Sequence, residues 1–278
     1  MPITTAPPPP LPVVTTLDDV VEALDTVIQW SMGAASRLGY FAALYKRITV
    51  AVRQAIAQGA FQDGPRMERF DVTFAARYLD ALNGHFHPGD HPRPTRCWQV
   101  SFDAAQRQDP ILLQHMLAGV NAHIDLDLGI AATQIACGTG LSGLQEDFDR
   151  INAVLASQVN GLLTDVTELS PAMADVAAVL MGHEIFVINE AVRVLRDSAW
   201  RFAVLLCAAP AVARPLLIWT RDRKVAGQGR VIYDPPSLTG VLATAVRTIA
   251  AQESRDVVHN IGVLDEIASA PAPIRTVL

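Results

Sequence analysis

The stretch HMLAGVNAHIDLDLGIA, residues 115–131, decides how this chain folds, because it sets two histidines, an asparagine and two aspartates into a segment that is otherwise apolar. At about 100° per residue, Leu112, Leu113, Met116, Leu117, Val120, Ile124, Leu126, Leu128 and Ile130 fall on every side of a helix. A helix that is apolar all round is a central one. The spacing therefore predicts a buried helix over residues 109–135, with Pro110 in its first turn. Polar groups in such a helix need partners or a task. His123 and Asp127 are one turn apart on one face, His115 lies two turns earlier on roughly the same side, and Asn121 and Asp125 project to another side.

Outward from this helix, most of the chain has helical periodicity. LDDVVEALDTVIQW is a first helix capped by Thr16, with Asp18 and Asp19 in its first turn. LGYFAALYKRITVAVRQAIAQ (38–58) is a second, stopped by Gly59, and residues 67–82 form a third that ends in the loop NGHFHPGDHPRPT. After GTGLSG (138–143) the helical pattern resumes through Leu169. Ser170 and Pro171 open a further long helix to Cys207, with a bend expected near Gly182. LLIWTRDRKVAGQGRVIYDPP is the one segment compatible with a short β-hairpin, near 216–233, since β-branched runs flank a Gly-containing polar turn. A last helix starts near Ser237 and runs to Gln252 or on toward Ile267. The fold class is all-α: a single-domain multi-helix bundle over residues 17–278, preceded by a flexible proline-rich arm over residues 1–16.

The composition agrees. Of 278 residues, 50% are hydrophobic, 18% charged and only 6% aromatic, which suits a large core of closely packed helices. A formal charge of −6 gives no general reason to bind nucleic acid or an anionic membrane. No apolar run reaches the length of a membrane span, and MPITTAPPPPLPVV lacks the basic start and apolar run of a secretory signal. Cys97, Cys137 and Cys207 are odd in number, widely spaced and without metal-site spacing, so they read as reduced thiols of a cytoplasmic protein.

The polar residues of the helices that read as buried are the candidates for chemistry. Asp71 and Tyr78 share a face of the third helix, where a buried carboxylate needs a pair, a hydrogen bond or a metal; an arginine such as Arg47 or Arg69 is the structural alternative. His123 and Asp127 have the separation of helix-borne metal ligands and equally of a structural hydrogen bond. His183, Glu190 and Asp197 recur at seven-residue spacing, but Glu190, Arg193 and Asp197 also have the spacing of surface ion pairs. His183-Glu184 is not a zincin motif, because the second histidine's place is Val187. His85, His87, Asp90 and His91 sit in a flexible loop of the kind that binds metals adventitiously. There is no nucleophile elbow, Walker loop or dinucleotide fingerprint.

FDVTFAARYLDAL, HMLAGVNAHIDLDLGIA, DFDRIN and RDSAW together resemble a bacterial family, common in actinobacteria, that is catalogued as a domain of unknown function. The resemblance spans residues 37–205 and implies an all-helical fold without supplying a reaction. Matching its motifs singles out Asp71, Arg77, Tyr78, His115, Asn121, His123 and Asp127. A fainter similarity, by analogy only, is to zinc-dependent phospholipase C-like helical enzymes, whose further ligand histidines this chain lacks.

The resulting expectation is a metal-dependent enzyme of specialised metabolism acting on a small, largely apolar molecule. His115, His123, Asp127 and Asp71 would hold a zinc or iron ion, and Asp71, Tyr78, Asn121 and His123 would act on the substrate. Two alternatives stand beside it. One is a metal-free cyclase or isomerase with a His-Asp general base in an apolar cavity; the other is a non-catalytic binding or scaffold protein whose buried polar residues fix helix register. A small-molecule partner, and neither nucleic acid nor membrane, is expected.

Overall fold

The computed structural model describes residues 6–138, 140–172, 184–234 and 240–268, and among them there are helices and no strand. Helix α1 (Leu17–Ala34) starts as its sequence demands: the Thr16 hydroxyl accepts the Asp19 amide and the Asp19 carboxylate accepts the Thr16 amide, a reciprocal cap. Helices α2 (Leu38–Ala57), α3 (Gly64–Phe86) and α4 (Arg96–Ala104) follow. The central element begins at Leu112, a little later than its sequence suggests, because the Glu253 carboxylate accepts the Leu112 amide at 2.8 Å and caps it there. It runs as α5 (Leu112–Ala122), a π-helical turn (His123–Leu128) and α6 (Gly129–Ala136). Helices α7 (Ser142–Leu169), α8 (Glu184–Ala208), α9 (Arg214–Tyr233), α10 (Gly240–Gln252) and α11 (Val257–Ala268) complete the described chain. His183 and the bend expected near Gly182 lie outside the described residues.

The central element is enclosed as its apolar circumference predicts. His115, Asn121, His123, Asp125 and Asp127 are all buried, and of the nine apolar positions only Leu117 is exposed. Helices α2, α3, α4, α8 and α9 surround it. Two glycines permit the closest crossings. A Cβ on Gly119 would lie 2.4 Å from the Phe41 ring of α2, and one on Gly129 would lie 2.7 Å from the Ala199 carbonyl of α8, inside van der Waals contact in both cases.

Three sequence expectations are corrected. Residues 214–233 are a helix, not a hairpin: Asp222, the adjacent pair Val225 and Ala226, Gly229 and Tyr233 follow one another at helical spacing and form its buried stripe, and Pro215 suits its first turn. Residues 6–16 are pinned rather than loose. Asn83 exchanges two hydrogen bonds with the backbone of Leu11, His87 donates to the Pro8 carbonyl and Trp30 to the Ala6 carbonyl, while Leu11 and Val14 are buried. Lastly, Cys137 and Cys207 form a disulfide that joins the end of α6 to α8, their Cα atoms 5.3 Å apart; Cys97 is free and buried. The 70-residue separation hid a pairing that the fold creates. No helix among the described residues is long and apolar enough to cross a membrane.

Candidate functional site

The π turn is where chemistry-bearing residues gather. Its wider i→i+5 winding, a feature frequent at functional sites, changes the register after His123, and its two aspartates bind different helices. Asp127 accepts hydrogen bonds from Arg77 Nε of α3 and from the Trp98 indole of α4, each at 2.7 Å. Asp125 is bound by Arg221 of α9, which also donates to the Asp125 carbonyl at 2.9 Å and to the Ser198 hydroxyl of α8 at 2.6 Å. Burial would raise the Asp127 carboxyl, but Arg77, His123 and Trp98 hold it below the ordinary carboxylate range. Asp127 is thus an ionised acceptor with both oxygens engaged.

His123 is surrounded by aromatic rings. It stacks on Phe74 with centroids 3.5 Å apart and 8° between planes, and meets Tyr45 edge-on at 4.5 Å, with Phe41, Tyr78 and Trp98 around it. Nδ1 stands 3.7 Å from the Asp127 carboxylate, beyond a hydrogen bond, and neither ring nitrogen has a hydrogen-bond partner. Burial lowers its pKa, with Asp127 opposing, which favours the neutral imidazole. Tyr45 also leaves its hydroxyl unpartnered, and its pKa is pushed well up by burial and then by the carboxylates of Asp71 and Asp127. Asp71, with an unpartnered Oδ2, is raised by burial to about 7 against the pull of Arg196. Asp71, Tyr45, Tyr78, His123 and Asp127 therefore share one interior site.

His115 lies elsewhere, in a small cavity between α2, α4, α5 and α9 lined by Arg37, Phe41, Tyr78, Trp98, Ser101 and Tyr233, among others. About 10 Å³ there is open to the centre of a water, room for a single molecule. His115 Nδ1 is 3.5 Å from the Tyr233 hydroxyl and Nε2 is unpartnered. Burial, then the charges of Arg37 and Arg107, lower its pKa to about 3. Phe41, Tyr78 and Trp98 line this cavity and also touch His123, so three aromatic side chains are common to the two sites. Asn121 belongs to neither: its amide donates to the Val225 carbonyl at 3.0 Å and ties α5 to α9.

The expected metal ligands do not form a metal site here. Asp127 is occupied by Arg77 and Trp98, His115 is in the other cavity, and no three His, Cys, Asp or Glu side chains among the described residues are placed to hold an ion. His87 of the histidine loop is engaged with Pro8, and Glu190 and Asp197 pair with Arg193 at the surface.

The profile of DUF5995, a family of unknown function, matches residues 17–235. The chain belongs to this family. The DUF5995 region contains the π turn and every residue named in the His115 cavity, and it ends just beyond Tyr233; Glu253, which caps α5, lies outside it. No curated protein and no solved structure matches the chain. Sequence reading passed over Arg37, Tyr45, Trp98, Ser101 and Tyr233. Tyr233 had a signal in its spacing with Val225, Ala226 and Gly229, whereas Ser101 and Arg37 carry no local mark.

Proposed function

We propose that this chain is a metal-free enzyme that takes a small, largely apolar molecule into the cavity between α2, α4, α5 and α9 and polarises one of its oxygens with His115, in an isomerase or cyclase type of reaction. The observation that carries the reading is an unpartnered imidazole nitrogen on a residue that lines an otherwise mostly aromatic cavity. If the Tyr233 hydroxyl donates to Nδ1, Nε2 carries the hydrogen and donates to a substrate carbonyl. A pKa near 3 keeps the ring neutral, so the hydrogen bond stabilises a developing oxyanion while the imidazole keeps its proton. The Ser101, Tyr78 and Tyr233 hydroxyl groups supply further polar contacts. The cavity has room for one water, so binding requires the surrounding side chains to open.

The metal-dependent alternative has less support, since its four expected ligands lie in two separate places. The Cys137–Cys207 disulfide favours an oxidising compartment over the cytoplasm. The scaffold reading has one specific observation in its favour: Asn121, Asp125 and Asp127 each bind a neighbouring helix, as residues that fix register do.

The test is a thermal-shift screen of small apolar carbonyl compounds on the full chain and on His115→Ala, with and without added Zn²⁺, Fe²⁺ or chelator. Compounds that stabilise the wild type and not the variant, independent of metal, are expected; product formation by the hits, followed by NMR, must be lost in the same variant. Hits indifferent to His115, or stabilisation that depends on metal, would overturn the reading.

A further inference from the structure

Arg37 sits at the start of α2 with its guanidinium in no hydrogen bond or ion pair with a described residue, although it is only partly exposed. It lines the His115 cavity on one side and, with Ala105, a much larger groove of about 470 Å³ on the other. Trp30 and Phe86 furnish apolar walls in that groove, their rings edge-to-face at 4.8 Å, and Gln106 and Gln108 add amide groups. No carboxylate is hydrogen-bonded to the Arg37 guanidinium among the described residues. Arg37 acts electrostatically on Glu253, but both Glu253 oxygens are engaged, one by the Leu112 amide and the other by the Ser170 hydroxyl. An unpaired guanidinium between apolar walls matches a ligand with one acidic group and an apolar body, because the charge-assisted, two-pronged hydrogen bond to a carboxylate or phosphate is what a planar guanidinium forms best.

We infer that the groove beside Arg37 binds a small apolar acid, its carboxylate or monophosphate on Arg37 and its apolar body against Trp30 and Phe86, at the threshold of the His115 cavity. This names the substrate class of the proposed enzyme and rests on that reading for its link to His115. The two positions are coupled: after burial, the charge of Arg37 is among the causes that depress the His115 pKa, so an acid bound to Arg37 offsets part of that effect while burial still holds the imidazole neutral.

Isothermal titration calorimetry of the full chain with naphthalene-2-carboxylate, 2-naphthyl phosphate and the uncharged 2-naphthamide tests this directly. Both anions, or one of them, should bind about tenfold or more tightly than the amide, a difference typical of a charge-assisted hydrogen bond; which anion leads identifies the acidic group. Arg37→Gln should abolish the preference while the variant keeps the wild-type melting temperature within a few degrees, since the guanidinium makes no hydrogen bond or ion pair with a described residue, and exposed Arg69→Gln should leave the preference intact. Trp30→Ala should weaken all three ligands. Equal binding of anions and amide, a preference that survives Arg37→Gln, or no binding of any probe would overturn the inference. His115→Ala separates the two claims: an Arg37-dependent preference in a protein whose hits ignore His115 would sink the cavity reading alone, and His115-dependent hits without an anion preference would sink the acid site alone.

Discussion

Trp98 donates its indole N–H to Asp127 across 2.7 Å, in a core where Arg77 holds the other carboxylate oxygen at the same distance. One carboxylate thereby joins α3, α4 and the π turn. Removing one partner of a buried pair strands the other, so Asp127→Ala should cost about 3–5 kcal/mol. Trp98→Phe, which keeps the ring and removes the donor, should cost about 1–3 kcal/mol. Urea denaturation at pH 7 checks both, and a near-neutral Asp127→Ala would contradict a structural role for this carboxylate.

Asp71 should make stability fall as pH rises. Its carboxyl has a pKa of about 7 in the fold against an ordinary 3.8, so between these values the native state holds a proton that the unfolded chain has lost. The protonated form is fully effective below about 4, and its benefit disappears by about pH 7. Over three units this amounts to at most about 4 kcal/mol. Asp71→Asn should flatten the profile between pH 4 and 7 and raise the melting temperature at pH 8. An unchanged profile would refute the unpaired burial of Asp71.

His115 should act in the opposite direction. Its pKa of about 3 lies below the ordinary 6.5, so the unfolded chain takes up a proton that the fold excludes as pH falls through that window. Stability from this group is complete above pH 6.5 and is lost toward pH 3. His115→Phe, of similar shape, should remove much of the acid sensitivity over this window in denaturation at fixed ionic strength. If the variant retains the full acid slope, His115 is not held neutral by burial.

The disulfide can be counted. In denaturant without reductant, a thiol reagent should find one reactive group per chain, Cys97, and three after reduction. Closing a 70-residue loop constrains the unfolded chain by about 4 kcal/mol on a loop-entropy model. Reduction, or Cys137→Ser with Cys207→Ser, should lower the denaturation midpoint while Cys97→Ser leaves the linkage intact. Three free thiols at the outset would refute the bridge.

The helical class, the buried central element and its polar residues were legible from residues 112–131 alone, because period and polarity are local properties. Asp71, Tyr78, His123 and Asp127 are all buried, and their polarity in apolar segments is what marked them in the sequence. The fates of these groups were not legible. An i,i+4 spacing fits a metal site, a dyad or an ion-paired carboxylate equally well, and only the arrival of Arg77 and Trp98 from other helices distinguishes them. The hairpin expectation for 216–233 failed because β-branched propensity is weak beside a buried stripe that α4 and α5 complete.

The sequence by itself determined that this chain is helical, where its first two helices begin and which helix lies at the centre, because caps, proline positions and apolar period act within a few residues. The tertiary structure alone decided that Asp127 is an ion-pair anchor, that His115 lies apart from His123, that Cys137 meets Cys207, and that Arg37 stands unpaired between a groove and a cavity. Those outcomes depend on which side chains distant segments bring within hydrogen-bonding distance, and on how much water their packing excludes.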